Sequence, residues 1–381
     1  MLGKKRTSSK RKKDENNKDK SKKSNSSIVN QCSNKRKKVN KNKNSKKNLI
    51  KNNDFNPENL GYIGILALYS YGEYYLDNTI CVFKSINNFV YLIYSDEEKS
   101  IISIDLYEYQ IINKVKKAHK KDISNFRYFF DNKNKIEIIL SLSSDDNCIK
   151  LWNFKNWECL LELKGIKGYC YLYSVCLIND NNENYIIASN INSFGGLIKA
   201  YDFKGNEVKE LKNSKGKKTI IINYYDNKTN KNYIISGFEG YIKSFDFKEN
   251  KLYHKYKIKC DNGMVNSLIV NDKENVIKII EGNENNLLKI WDFHSGELID
   301  TFYLYGGVIG LCLWDSKYLL VGRKEAIQLI DMVEGKVSKV FYEPNGHILC
   351  IRKFLHPKYG ECFIAKSSEQ KIYLYGNVKS N

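Results

Sequence analysis

The chain has 381 residues, with 63 Lys and Arg against 43 Asp and Glu for a formal net charge of +20. That length fits one large closed all-β domain or two to three ordinary domains, so length alone does not set the domain count. The N-terminus lacks the apolar core of a secretory signal, and the longest apolar stretch, YIGILALYSY from Tyr62, is about half of what a helix needs to cross a bilayer; a soluble intracellular protein without membrane insertion is expected.

The first 51 residues hold 20 of the basic residues and three acidic ones, Asp14, Glu15 and Asp19. They contribute +17 of the net charge, which leaves +3 for the rest. Between Lys4 and Lys47 the only aliphatic residues are Ile28, Val29 and Val39. Such a segment cannot bury enough apolar surface to offset an ordering cost of roughly 1–2 kcal/mol per residue. Residues 1–54 are therefore expected to form a disordered Lys/Asn-rich basic tail, and residues 55–381 the folded domain. Two basic clusters, around Arg11, Lys12 and Lys13 and around Lys35, Arg36, Lys37 and Lys38, read as a nuclear address. With no Tyr, Phe or Trp before Phe55, the tail offers RNA phosphates attraction but no stacking platform.

Past the tail, short β-branched runs follow one another: IEIILSL, YIIAS, NYIISG, VIKIIEG and YLLVG. None shows an apolar stripe at helical spacing, and each ends at polar or glycine turns, so the body reads as β-strands. A second kind of strand ends in an aromatic or aliphatic residue followed by a small polar one. The marks fall at Asp105, Asn153, Asp202, Asp246, Asp292, Asp331 and Gly376, spaced 48, 49, 44, 46, 39 and 45 residues apart. Polar loops such as DNKNK, NDNNEN and DNKTNKN separate the first two strands of a period, and short Gly/Asn/Lys turns such as FKGN and FHSG follow the marks. Each period thus reads strand, loop, strand, turn, strand, turn, strand, the length of a four-stranded propeller blade.

The runs CIKLWNF and LLKIWDF resemble the strand signature of the WD-repeat β-propeller family, Ala118-His119 stands where that family has Gly-His, and Gly346-His347 matches it literally. The resemblance spans roughly residues 60 to 381 and implies a seven-bladed propeller. It further implies a hydrogen-bonded network within a blade. In the second blade this network takes His119, Asp146 and Trp152, with Leu142 or Ser144 at the hydroxyl position; in the fifth it keeps Asn285 and Trp291 without a matching His. Glu239 and Gly195 replace the expected Asp in the fourth and third blades. After Tyr375 only six residues remain, too few for a last strand, so GYIGILALYSY is expected to supply it and close the ring.

No catalytic or metal-binding pattern accompanies the repeat. The five histidines, His119, His254, His294, His347 and His356, are scattered, and the ten cysteines include no C-x-x-C pair, so buried free thiols are expected and no metal or other cofactor is assigned. Neither a phosphate-binding glycine loop nor a G-x-S-x-G elbow occurs. The expected function is a non-enzymatic scaffold, a subunit or adaptor of a larger nuclear complex that holds other proteins on its loop faces. The candidate contact residues are Lys120, Phe194, Phe238, Tyr305, Arg323 and Lys324. The alternative is an RNA-associated ribosome-assembly factor in the nucleolus, with a propeller enzyme in third place and a cytoplasmic location as the alternative address.

Overall fold

Six of the seven recurring marks in the sequence, all but Gly376, are Asp or Asn residues that close a turn with the side chain. In a computed structural model of the chain, Asp105 Oδ1 accepts the backbone N–H of Tyr107 at 2.7 Å, and Asn153, Asp202, Asp292 and Asp331 do the same two residues on at 2.9–3.0 Å. Asp246 reaches the residue after, Glu249, at 2.9 Å. Side-chain mimicry of a backbone turn is what Asp and Asn do best, and it explains why the mark persists while its neighbours vary.

The structure describes residues 57–67, 79–164, 171–191, 196–216, 218–257, 263–273, 276–304 and 306–378, all within the unit Asn56–Asn381. The expected disordered tail and the nuclear-address residues Arg11, Lys12, Lys13, Lys35, Arg36, Lys37 and Lys38 lie outside the described residues. Apart from a 3-10 turn at Pro57–Asn59, the described regular elements are all strands.

After β1 (Leu60–Ala67), the first sheet comprises β2 (Cys81–Lys84), β3 (Val90–Ser95), β4 (Ile101–Asp105) and β5 (Gln110–Val115). The second comprises β6 (Asn125–Asp131), β7 (Ile136–Ser143), β8 (Cys148–Asn153) and β9 (Cys159–Lys164). The third is built from β10 (Tyr171–Asp180), β11 (Glu183–Ile191), β12 (Ile198–Asp202) and β13 (Glu207–Glu210). The fourth has β14 (Lys218–Asp226), β15 (Lys231–Phe238), β16 (Tyr241–Asp246) and β17 (Lys251–Tyr256). The fifth has β18 (Val265–Asn271), β19 (Lys278–Asn283), β20 (Leu287–Asp292) and β21 (Leu298–Tyr303). A final six-stranded sheet runs in the order β1, β26 (Ile372–Asn377), β25 (Gly360–Ser367), β24 (Lys336–His356), β23 (Tyr318–Asp331) and β22 (Gly310–Leu313). The strand pairings among the described residues are antiparallel, and the segment drawn from the N-terminal side pairs through β1 with β26.

Two elements of the last sheet do double service. The first residues of β23 pair with β22 and its later ones, Ala326–Asp331, with β24; β24 in turn gives its later residues to β25. Met332 N–H donates to Lys317 O at 2.8 Å, which brings the end of β23 back beside its start.

Burial explains the composition of each strand. The second strands β3 and β7 are buried along nearly their whole length, whereas the fourth strands β5, β9 and β21 are mostly exposed. A strand covered on both faces by neighbouring sheets reads as a continuous apolar run rather than an alternation. Full burial of each Ile or Leu contributes about 1.5–3 kcal/mol. The cores lie between sheets: first on second around Ile93 and Trp152, second on third around Leu140 and Val175, third on fourth around Ile187 and Phe245. Fourth packs on fifth around Ile235 and Trp291, and fifth on β22–β23 around Ile280 and Leu319. Cys350, Ile364 and Leu374 of the last sheet pack on Leu92 and Ile104 of the first. Face-to-face packing thus runs in a circle, the arrangement of a propeller-like fold. Between the two halves of the last sheet the approach is close enough that a Cβ on Gly322 would lie 2.9 Å from Ile348 O, so the position takes no side chain.

Candidate interaction surfaces

The connection between the first two sheets is pinned by side chains from the second. Asp146, in the β7–β8 turn, accepts the backbone N–H groups of Lys120 and Lys121 through Oδ2 at 2.6 and 3.1 Å, and Lys150 Nζ donates to Ala118 O at 2.8 Å. Beneath that loop the buried His119 meets Ser141: Nε2 and Oγ are 2.7 Å apart, and Trp152 Nε1 donates to the same oxygen at 2.8 Å. His119 Nδ1 faces Asp146 Oδ2 at 3.9 Å. The indole can only donate to Ser141 Oγ, which leaves that hydroxyl its proton and one lone pair to share with Nε2, while Nδ1 is buried without a hydrogen-bond partner. Burial, then the Lys150 ammonium, lowers His119 to about 4 against a smaller upward pull from Asp146, so the ring is neutral at pH 7.

His119, Asp146 and Trp152 therefore come together, but the hydroxyl is Ser141, not Leu142 or Ser144. Ser144 instead bonds Ser124, with their hydroxyl oxygens 2.7 Å apart. The difference is one of register: Ser141 pairs with Lys150, two residues before the Trp, across a turn of four residues between Ser143 and Cys148. In the fifth sheet Trp291 Nε1 donates to Glu281 Oε2 at 2.9 Å, and Lys289 Nζ reaches Glu281 Oε1 at 2.8 Å, a buried ion pair in the place of the serine. Asn285 donates its backbone N–H to Asn283 Oδ1 at 3.0 Å within the turn. The sequence carried a signal for Glu281, an acidic residue directly after Ile279 and Ile280 where the second repeat has Ser141, but none for Lys289, since Lys150, Lys199 and Lys243 hold the same place in their repeats.

Of the residues expected on the loop face, Lys120 and Lys324 are exposed and Arg323 is half-buried, with Nη1 3.8 Å from where a Cβ on Gly306 would stand. Phe238 is a correction: it ends β15, is fully buried and stacks on Tyr241 with ring centroids 4.8 Å apart. A Cβ on Gly216 would come within 2.8 Å of its ring, so the 196–216 segment closes over it. Phe194 and Tyr305 lie outside the described residues, as does Gly195.

Two grooves open at the opposite end of the strands, where the first hairpin turns and the Asx turns cluster. One, of about 510 Å³, lies between the first two sheets and is lined by Tyr91, Phe154 and Trp157 beside Glu137. Glu137 clamps the two sheets: Ser85 Oγ donates to Oε2 at 2.7 Å, and Ile86 N–H and Tyr128 O–H donate to Oε1 at 3.1 and 3.0 Å. Burial, then the Glu137 carboxylate, pushes the Tyr128 hydroxyl well above its ordinary range. The other groove, about 720 Å³, spans the second to fourth sheets, where Tyr128, Phe130 and Tyr225 alternate with asparagines such as Asn181 and Asn223. These grooves depend on the spacing between sheets, which no local motif encodes.

Among the described residues no group of three or more His, Cys, Asp or Glu side chains is arranged to hold a metal ion, and no helix is long and apolar enough to cross a membrane. The described cysteines are free; Cys81, Cys148, Cys176, Cys312, Cys350 and Cys362 are buried, and Cys159, at the start of an outer strand, is exposed. Comparison with protein-family models finds no match, and comparison with curated proteins finds none either.

Proposed function

We propose that the chain is a seven-bladed propeller of the WD-repeat type that serves as a non-catalytic protein-interaction scaffold, a subunit or adaptor of a larger nuclear complex. The count of seven is supported by a repeated bulge. The pairing of third and fourth strands slips by one residue just before Ile104, Trp152, Tyr201, Phe245, Trp291 and Ile330, and opposite Leu374 and Tyr375 in the pairing of β26 with β1. Bulges are designed features of a strand pair, and seven in one register support splitting the six-stranded sheet into two blades, with β1 as the outer strand of the last. The His119–Ser141–Trp152 network supports the WD-type reading of the second blade.

The scaffold reading is carried by the two aromatic and amide-lined grooves on one end of a cyclic stack of sheets. Side chains held by such a framework lose little entropy on binding, and aromatic residues dominate interface energetics. The test is affinity capture from native cells with two surface variants, Lys120→Glu/Lys324→Glu at one end and Trp157→Ala/Tyr225→Ala at the other. Loss of a partner set in one variant identifies the working face; unchanged partners in both refute the scaffold reading.

The tail's +17 charge supports a nuclear address. Replacing Arg11, Lys12, Lys13, Lys35, Arg36, Lys37 and Lys38 by Ala moves a fluorescent fusion to the cytoplasm on this reading; an unmoved fusion returns the protein to a cytoplasmic scaffold. The same charge carries the second reading, an RNA-associated factor, which predicts RNA binding that falls steeply between two salt concentrations and disappears in the substituted tail.

A further inference from the structure

The turn between third and fourth strands ends on a residue with positive φ. After Asp246, Asp292 and Asp331 that residue is Asn250, Gly296 or Gly335, and after Asp202 it is Gly205, one position earlier. The second sheet puts Trp157 at this place, with φ 58°. Its N–H donates to Asn153 O at 2.7 Å, as Gly296 and Gly335 donate to Asp292 O and Asp331 O, so the turn is the same one. A bulky side chain is strained in this region, where glycine and asparagine are tolerated, and an outlier of this kind points to a use for the side chain. The first sheet makes the same exception with Tyr109, whose ring stacks on His356 of the last sheet with centroids 5.6 Å apart. Trp157 instead meets Phe154 of its own turn edge-on at 5.6 Å, stays half-buried and walls the groove between the first two sheets.

That groove, about 510 Å³, combines an apolar floor with a basic rim. Tyr91 and Phe154 are buried in its floor with their ring centroids 5.0 Å apart. Ile86 and Ile112 of the first sheet line it although they are 63% and 46% exposed. Aliphatic side chains left this open beside a concave surface are what an apolar anchor covers. Three charged residues line the groove, Lys135, Glu137 and Lys155. The two lysines are exposed, whereas the Glu137 carboxylate already accepts from Ser85, Ile86 and Tyr128. A partner therefore meets an apolar cleft with two ammonium groups at its edge. The groove across the second to fourth sheets differs, since among the described residues no lysine or arginine lines it.

A single strand of nucleic acid fits this groove less well. It calls for aromatic faces in series and cations that follow the phosphates, and the groove offers one half-buried indole, isoleucines and two lysines that both belong to the second sheet. We propose that the groove takes an extended acidic segment of a partner protein, with one large apolar side chain seated among Ile86, Ile112 and Trp157 and flanking Asp or Glu carboxylates on Lys135 and Lys155. This rests on the reading of the protein as an interaction scaffold and names the partner chemistry for one of its grooves. Complementary charge at a rim speeds encounter and rejects partners of the wrong sign, so a basic segment with the same apolar anchor is excluded.

The test screens the full chain, Trp157→Gly and Lys135→Glu/Lys155→Glu against an array of random heptapeptides at constant ionic strength. Glycine suits the backbone at position 157, so the first variant removes the ring without adding strain. The basic tail is the same in all three proteins, and a difference between them belongs to the groove. The unaltered chain is expected to select peptides with one Phe, Leu, Ile or Met among several Asp and Glu. The best of these, labelled with fluorescein, binds each variant about tenfold or more weakly in anisotropy titrations, as loss of an aromatic anchor or of the rim charge implies. Selection of basic or neutral peptides, or equal affinity for the three proteins, overturns the proposal. So does binding of an oligouridine that Trp157→Gly abolishes, which gives the groove to single-stranded RNA, or a dimer in sedimentation that the same variant dissolves, which gives it to a second copy. If circular dichroism shows Trp157→Gly unfolded, the surface lysine variant decides alone. The scaffold reading is judged separately: partners captured from cells that change with Trp157→Gly, while no acidic peptide is selected, leave the scaffold standing and remove only the acidic segment.

Discussion

Replacing Ser141 by Ala removes a single buried oxygen on which two other buried groups depend. Trp152 Nε1 and His119 Nε2 lie 2.8 and 2.7 Å from Ser141 Oγ, and serine, histidine and tryptophan are all buried. A buried polar group left without its partner costs about 1–3 kcal/mol. Two such groups sharing one oxygen are not additive, so the expected loss is about 2–5 kcal/mol. Urea unfolding of the full chain, followed by circular dichroism because Trp152 is itself varied, reads this as a lower midpoint at unchanged slope. The sharper measurement is the cycle with Trp152→Phe, which removes the indole donor. In that background Ser141→Ala strands only the imidazole, so its cost falls by about 1–2 kcal/mol. A single-variant cost below about 0.5 kcal/mol, or additivity within about that error, would show that the oxygen does not hold the network together.

His119 is lowered to about 4 in the fold, while an unperturbed imidazole titrates near 6.5, so the unfolded chain takes up the proton first as pH falls. Stability contributed by the neutral ring is present above about pH 6.5, declines between there and about pH 4, and amounts to something on the order of 3 kcal/mol; a His119→Gln variant has a flatter pH profile across that window, and parallel profiles count against the assignment. Glu281→Met alone strands the buried Lys289 ammonium and costs about 3–5 kcal/mol, whereas Glu281→Met with Lys289→Met costs less than the single change, because breaking a buried pair is worse than replacing it. Calorimetric or urea midpoints of the two variants, ranked in the other order, refute the ion pair as drawn. Deleting residues 57–67 removes β1 and bares the edge of β26, so the thermal midpoint falls and concentration-dependent association appears in sedimentation; a truncated chain that melts and sediments like the full one refutes the role of β1.

The period, the strand order and the turn residues were legible because each is enforced locally. An Asx turn needs Asp or Asn at its first position, and a strand covered on both faces needs an unbroken apolar run. Ser141 was not legible at its true place because pairing register depends on the length of the β7–β8 turn. A slip of one residue exchanges the faces of a strand, and that is enough to move the hydroxyl position from Ser141 to Leu142. Phe238 looked like a loop aromatic because its neighbours Gly237, Glu239 and Gly240 are turn formers. What buries it is the Gly216 segment, 22 residues away in the chain, and nothing near Phe238 announces that contact. The grooves are further still from local pattern, since the walls of one come from two sheets and those of the other from three.

The unevenness of the repeat also has a physical basis. An indole N–H buried between sheets must find an acceptor, and the two repeats that keep the tryptophan each place one on the second strand: Ser141 beside Trp152 and Glu281 beside Trp291. Where the tryptophan is absent the demand disappears. Ile104 lies opposite Leu92 in the first sheet, and the position two residues earlier faces Tyr94. In the third sheet Ala188 takes the acceptor's place and Tyr201 that of the tryptophan. The fourth keeps a serine, Ser236, but pairs it with a repeat ending in Phe245, and the unused hydroxyl turns to Gly237 O at 3.4 Å. The tryptophan donor is thus found only where an acceptor faces it, while an acceptor can outlast its donor, as in the fourth sheet. The apolar contacts between sheets do not depend on them, so a repeat that has lost the tryptophan still packs: Tyr201, Phe245 and Ile104 are all buried at the same station of their sheets. Divergence at this position removes a few kcal/mol of polar specificity from one blade and leaves intact the stacking by which every sheet is held between two others.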